Sequence, residues 1–151
     1  MKKVTAGDSA IVSEDVTAAS PLKFWCFHCY AVNDRPVGRC DACGRLVEPP
    51  TGLSWTDRLI WALRHPDGDR AVVAADTLGK LRAHDSVRRL RETVESGRDI
   101  YLRAAALRSL IAIEGAGALR PWLDELSQSA PFNVRAVARR ALDQTAGDDT
   151  R

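Results

Sequence analysis

Apolar residues recur with a helical period through residues 54–144. The pattern predicts a short helix over 56–64 and longer helices over 70–81, 86–96, 101–113, 118–128 and 133–144. Ser54 and Asp57 have the spacing of a capping box just before the first apolar run, so the short helix is expected to begin there. Pro121 is expected in the first turn of its helix, where the missing N–H does little harm.

The predicted helices repeat with a period of 32 residues. The repeated positions are Ala74, Ala106 and Ala138, and Leu78, Leu110 and Leu142. A period near 30 with two helices per unit is typical of an α-solenoid, in which small residues let neighbouring helices approach closely. Asp67 and Asp99 repeat in the turns, and Arg70, Arg103 and Arg135 near the helix starts are expected to form a ladder of ion pairs with them.

The segments DGDRAVVAADTLGKL, RDIYLRAAALRSLIAI and FNVRAVARRALDQ resemble HEAT repeats of the short bacterial, phycobilisome-lyase-like type. The resemblance implies an all-α fold over 54–144, a short right-handed HEAT-like α-solenoid of about two and a half repeats. In this grouping helix 70–81 pairs with helix 86–96. The helix over 56–64 is then left over from a preceding unit, and the last unit lacks its second helix.

Three segments outside the helices have no helical period. Residues 1–20 are small and polar and are expected to form a mobile tail, with a strand at 10–12 as the alternative. The Pro-Pro-Thr-Gly sequence within 49–53 is stiff and is expected to be a linker between residues 21–48 and the helices. Residues 145–151 are expected to be a frayed carboxy-terminal tail.

All four cysteines of the chain lie between residues 26 and 43, at Cys26, Cys29, Cys40 and Cys43. Two C-x2-C turns can direct four thiolates at one metal ion, and four thiolates leave no open position for a substrate. The spacing therefore predicts a structural Zn²⁺ site. Iron in a rubredoxin-like site has the same ligands and is the alternative.

The stretch CFHCYAVNDRPVGRCDACGRL is similar to bacterial zinc ribbons, and residues 21–48 are expected to form one. Asn33 is expected to hydrogen-bond the local backbone. The same spacing occurs in Ran-binding-protein-type zinc fingers, some of which bind RNA or ubiquitin. The residue that stacks on RNA in those fingers falls at Asp34 here, so the metal ligands carry over but the ligand specificity does not.

Aromatic residues surround the first C-x2-C turn, notably Trp25, Phe27 and Tyr30. Aromatic side chains dominate the energetics of protein interfaces, so these three are candidates for contact with a partner. The alternative is that some of them pack against the first layer of the helices.

The composition is that of an ordinary globular protein, with 28% charged residues and a net charge of +2. No apolar run is long enough to span a bilayer and no secretory signal is recognisable, so a cytoplasmic location with reduced cysteines is expected. Abundant Arg and Ala are typical of a high-GC bacterial genome. The chain contains no motif of a known catalytic site, and we expect that it is not an enzyme.

These features favour protein–protein interaction, as an adaptor or a regulatory subunit of a larger assembly. The expected contacts lie on the second helix of each unit, at Arg88, Arg91, Glu92, Glu95, Arg120, Asp124 and Glu125. The alternative is a nucleic-acid-binding accessory protein that uses the zinc ribbon and an arginine-rich helical face. That alternative requires the arginines of 80–91 and 135–140 to share one face without acidic partners.

Overall fold

The computed structural model describes residues 22–36 and 38–148. The predicted amino-terminal tail and its alternative strand lie outside the described residues. Internal contacts divide the chain into two compact units, Met1–Glu48 and Pro49–Arg151. We call them the cysteine unit and the helical unit.

The cysteine unit contains a small antiparallel sheet of two strands, β1 (Phe24–Trp25) and β2 (Val32–Asn33). Phe24 lies opposite Asn33, and Trp25 lies opposite Val32. Because side chains alternate between the two faces of a strand, Phe24 packs on the core that Cys26, Cys40 and Val47 form, whereas Trp25 is 42% exposed.

The helical unit consists of helices joined by short turns. They are α1 (Trp55–Ala62), α2 (Gly68–Lys80), α3 (Val87–Ser96), α4 (Ile100–Glu114), α5 (Ala116–Ser129) and α6 (Phe132–Asp148). A single 3₁₀ turn, His84–Ser86, precedes α3. The described residues are therefore mostly helical with one small sheet, as the hydrophobic period predicts.

Carboxylate and hydroxyl side chains begin three of the helices. The predicted capping box at α1 is confirmed, since Ser54 accepts a hydrogen bond from the Asp57 N–H and Asp57 accepts one from the Ser54 N–H, both at 3.0 Å. Asp67 caps α2, and Asp99 caps α4 by accepting from two backbone N–H groups at 2.7 and 2.9 Å. These side chains satisfy N–H groups that have no partner within the helix.

Helices α2, α4 and α6 pack side by side, and their first residues, Gly68, Ile100 and Phe132, are 32 positions apart. Helices α2 and α4 approach closely at Gly79 and Ser109. A methyl group on Gly79 would lie only 2.8 Å from the Ser109 Cα. The Ser109 hydroxyl donates a buried hydrogen bond of 2.8 Å to the Ala75 carbonyl of α2. The small residues Gly79 and Ser109 therefore permit close packing of α2 on α4.

The helices pair differently from the predicted grouping. Each of α1, α3 and α5 packs closely on the helix that follows it, so the close pairs are α1 with α2, α3 with α4, and α5 with α6. The connection from α2 to α3 is longer than the turns within these pairs, because it passes through Arg82 in a left-handed conformation and then the 3₁₀ turn. The predicted pairing of helix 70–81 with helix 86–96 is not the close one.

The predicted helix boundaries lie within two residues of the observed ones, except at the end of α6. Helix α5 begins at Ala116, so Pro121 is its sixth residue and the prediction of a first-turn proline is wrong. The break between α4 and α5 comes before the proline, at Gly115. Gly115 has φ 85° and ψ 146°, a conformation that essentially only glycine adopts, and this conformation ends α4. Helix α6 continues to Asp148, four residues beyond the predicted end at 144.

The arginines near the helix starts do not form the expected ladder with the turn aspartates. Arg70 contacts Asp67 at 3.3 Å, in agreement with the prediction. Arg103, however, donates through Nε to the Val94 carbonyl at the end of α3, at 2.7 Å. The repeated arginine therefore closes the α3–α4 pair instead of contacting Asp99.

Candidate metal centre

The first C-x2-C turn begins directly after β1. The Cys26 N–H donates to the Ala31 carbonyl, and the Tyr30 N–H donates to the Cys26 carbonyl, both at 2.9 Å. The His28 N–H lies 3.3 Å from the Cys26 Sγ. Backbone hydrogen bonds thus fix this turn, and one N–H is directed at a sulfur atom.

The second C-x2-C turn repeats this arrangement. The Cys40 N–H donates to the Arg45 carbonyl at 2.7 Å, and the Gly44 N–H donates to the Cys40 carbonyl at 2.8 Å. The fourth residue after each first cysteine has a positive φ, 69° at Gly44 and 60° at Tyr30. Glycine adopts this conformation freely, whereas Tyr30 adopts it against the steric preference of an L-residue.

Asn33 joins the two turns. Its side-chain Nδ2 donates to the Ala31 carbonyl at 2.8 Å, and its Oδ1 lies 3.4 Å from the Asp41 N–H. The side chain is buried, with 6% of the residue exposed. The expected local hydrogen bond is confirmed, and the link to Asp41 in the second turn is a contact that the sequence does not reveal.

The structure brings the four cysteine side chains together. The Sγ atoms of Cys26 and Cys43 are 3.7 Å apart, those of Cys29 and Cys40 are 3.6 Å apart, and all four lie within 4.8 Å of one another. A tetrahedral ion with metal–sulfur bonds of about 2.3 Å has sulfur atoms about 3.8 Å apart. A disulfide needs about 2.05 Å, so the sulfurs are spaced for a shared metal ion.

The four thiols also affect one another's ionisation. Desolvation is the largest single effect on the Cys40 thiol and raises its pKa. The N–H groups of Cys43 and Ala42 and the neighbouring thiols stabilise the thiolate and together outweigh desolvation, so the pKa is lowered to about 6. The backbone hydrogen bond of Ala31 is the largest single effect on the Cys29 thiol and lowers its pKa. Desolvation and the other three thiols together outweigh that hydrogen bond and raise the pKa to about 12. The thiol cluster therefore favours a thiolate at Cys40 and opposes one at Cys29. A bound cation reverses that opposition.

The aromatic candidates occupy different positions around the first turn. Trp25 is exposed on the outer face of the sheet, opposite Val32. Phe27 is half-buried and meets the His28 ring edge to face, with ring centroids 5.7 Å apart, and its N–H donates to the Val47 carbonyl. Tyr30 is half-buried at the positive-φ position. Of the three residues, Trp25 is therefore the most exposed.

The charged candidates on α3 are engaged within the helical unit. Arg88 and Arg89 both contact Glu92, at 3.3 and 2.7 Å. Arg91 lies 3.8 Å from Glu114 of α4, and its guanidinium lies over the Trp122 ring at 4.4 Å. The partners Glu114 and Trp122 were not predicted, since their distance along the sequence gives no signal of this contact.

The candidates on α5, Arg120, Asp124 and Glu125, are exposed. The contact between Arg91 and Trp122 places α3 and α5 side by side at this point. The structure thus brings the α3 and α5 candidates to neighbouring helices. Glu95 is exposed near the end of α3, one helical turn beyond Arg91.

No protein-family model matches this chain, and comparisons with curated proteins and with solved structures found no similar protein. Within the described ranges, no helix has the length and apolar character needed to cross a membrane.

Proposed function

We propose that this chain is a non-catalytic, zinc-stabilised module for protein–protein interaction, acting as an adaptor or regulatory subunit in the cytoplasm of a bacterium. The observations that carry the proposal are a closed set of four cysteine side chains in the cysteine unit and, in the helical unit, a surface of mixed, internally paired charge. The resemblance to a zinc ribbon and to HEAT repeats adds to this argument.

The cysteine cluster supports a structural role for the metal. Four thiolates complete a tetrahedral coordination shell, so no position is open for water or substrate. The core of the cysteine unit consists of Cys26, Cys40 and Val47, with Phe24 and Ala31 packed against it. So small a core cannot stabilise a fold alone, whereas bound Zn²⁺ supplies on the order of 10 kcal/mol in such units.

The metal assignment is tested by measuring the metal content of the purified chain. We expect about one zinc per chain, no visible absorption from an iron–thiolate site, and loss of the metal in Cys26→Ser. The control is His28→Ala, which changes a residue in the same turn that the proposal does not make a ligand and should keep the metal. Retention of zinc by Cys26→Ser and loss from His28→Ala would reverse the ligand assignment.

The helical unit supports a HEAT-like stack. Three helices with starts 32 residues apart pack in order, and each is preceded by a helix packed against it. Grouped in this way, the unit is three helical pairs, α1–α2, α3–α4 and α5–α6. Stacked helical pairs present extended surfaces on which partner proteins bind.

The charges on α3 favour a protein partner over a nucleic acid. Binding to phosphates requires arginines that are available to neutralise them. On α3, Arg88 and Arg89 share Glu92, and Arg91 lies between Glu114 and Trp122. A surface of mixed sign with its own ion pairs repels the phosphate backbone at the acidic positions and suits a protein of complementary pattern.

The function is tested by affinity purification of the tagged chain from its native cell, with and without nuclease. We expect a protein partner in fixed stoichiometry that survives nuclease and is lost with Asp124→Lys/Glu125→Lys on α5. The matched control is Arg58→Glu on α1, an exposed charge reversal outside the proposed surface. Recovery of nucleic acid, with every protein lost after nuclease treatment, would instead establish the alternative function.

A further inference from the structure

Three large apolar residues are exposed together at the beginnings of α4 and α6. Ile100 is 45% exposed, Tyr101 is 66% exposed and Phe132 is 73% exposed. Ile100 and Phe132 are the first residues of their helices, and Tyr101 is the second residue of α4. Because α4 packs against α6 and the two starts are one 32-residue repeat apart, the three residues lie at the same end of the helical unit. We call them the helix-end patch.

The helix-end patch does not stabilise the chain's own core. None of its residues belongs to the buried core of the helical unit or to the partly buried residues packed against that core. The equivalent position in α2 is Gly68, so the fold does not need an apolar side chain there. Aromatic side chains bury about 150–250 Å² each at contacts, so the two aromatic residues alone expose roughly 300 Å². An apolar patch of this size is as large as those that a typical monomer exposes, and such patches are often functional.

The charges beside the patch have opposite signs. Glu95 lies near the end of α3, and Arg98 lies in the turn between α3 and α4 that leads into the patch. Both are exposed, and neither has an ion pair or hydrogen bond through its side chain among the described residues. In a two-fold dimer the same patch of both copies meets, so the anion of each copy can lie beside the cation of the other. A patch with an apolar centre and one available charge of each sign is therefore complementary to an identical patch.

We propose that the helix-end patch is a two-fold interface with a second copy of this chain. Phe132 and Tyr101 are the apolar anchors, and Glu95 of each copy pairs with Arg98 of the other. A stable interface needs about 800 Å² per partner, and the three apolar residues supply roughly half of it, so the charged rim completes the contact. This inference goes beyond the proposed function and does not depend on the metal or on the partner of α3 and α5.

The test is the molecular mass of the full chain in solution, by sedimentation velocity from about 1 to 200 µM, a range that covers typical weak dimers. We expect a monomer–dimer equilibrium whose dissociation constant rises at least about tenfold in Phe132→Ser and in Tyr101→Ser, since both are interface anchors. The control is Val73→Ser, which removes an apolar side chain that is 64% exposed on α2, outside the patch. Circular dichroism checks that each variant keeps its helices.

The charge pair gives a second, sharper measurement. Glu95→Arg and Arg98→Glu should each weaken the dimer, because each places like charges opposite one another across the axis. The double variant Glu95→Arg/Arg98→Glu should recover most of the affinity. A chain that is monomeric at every concentration overturns the proposal. A dimer that Phe132→Ser leaves unchanged also overturns it, as does a dimer that the charge exchange fails to restore. Capture of an unrelated protein by the patch, with the chain itself monomeric, counts against it equally.

Discussion

Replacement of Gly79 by alanine is expected to destabilise the helical unit, although alanine is the better helix former. Gly79 lies inside α2, where alanine would gain about 1 kcal/mol of helix propensity. The new methyl group, however, would lie 2.7 Å from the Oγ of Ser109 and 2.8 Å from both its Cα and Cβ. Carbon atoms pack best at about 3.5–4.0 Å, so α2 and α4 would have to separate by about 1 Å.

The size of the effect follows from these two opposing contributions. Overpacking costs about 1–3 kcal/mol, and a clash with the backbone Cα, which no rotamer change can relieve, places Gly79→Ala near the upper end. Subtracting the gain in propensity leaves a loss of about 2 kcal/mol in the free energy of unfolding. For a unit of about 100 residues this lowers the Tm by roughly 10 °C.

The assay is thermal and urea unfolding followed by the helical circular dichroism signal. Gly117→Ala is the matched control, because Gly117 is also helical and a methyl group there would meet nothing within 4 Å. The control should leave stability unchanged or raise it by up to about 1 kcal/mol. If Gly79→Ala is as stable as the wild type, the close approach of α2 to α4 is not as tight as described and the reasoning fails.

Three further predictions concern turns and caps. Arg82→Gly should raise stability by about 1 kcal/mol in urea unfolding, because Arg82 has φ 48° at the end of α2, where glycine carries no steric cost, and Arg82→Ala should show no gain. Asp99→Ala should lower stability by about 1 kcal/mol, whereas Asp99→Asn should retain most of it if hydrogen bonding to the α4 N–H groups is the cause. Hydrogen bonds from the Ser54 hydroxyl and, less strongly, from the Ser54 N–H lower the pKa of Asp57 in the folded chain. The stability that the Asp57 carboxylate contributes is therefore present above its unfolded pKa of about 3.9 and is lost as the pH falls through its folded pKa. Unfolding midpoints between pH 2 and 6 should therefore depend less on pH in Ser54→Ala, and an unchanged pH dependence would contradict the assignment.

The sequence predicts the helices well where a local signal marks their ends. Ser54 with Asp57, and the turn residues Asp67 and Asp99, lie where side-chain caps are needed, and all of them begin helices. The placement of Pro121 in the first turn of α5 was wrong because a proline is an ambiguous signal. It suits a first turn, but the positive φ of Gly115 places the break earlier.

The cysteine cluster was also predictable, because the ligand spacing is local. The pairing of helices was not, since it depends on which apolar faces meet across the unit. The contact of Arg91 with Trp122, and the positive φ at Tyr30 and Arg82, have no marker in the sequence. The helix-end patch was hidden for a related reason: Ile100 and Phe132 lie just before the predicted helix starts at 101 and 133, and a sequence does not show which apolar residues are exposed.

The regular succession of helices in the helical unit also bears on how fast it folds. The hydrogen bond between Ser109 and Ala75 joins residues 34 positions apart, and the ion pair between Arg108 and Asp76 joins residues 32 apart. These longer-range contacts are outnumbered by contacts within the helices and their turns, so the contact order is low and folding within microseconds to milliseconds is expected. The cysteine unit depends instead on an encounter with a metal ion, so its rate depends on metal concentration. During synthesis, the two halves of this chain would thus mature under different kinetic control.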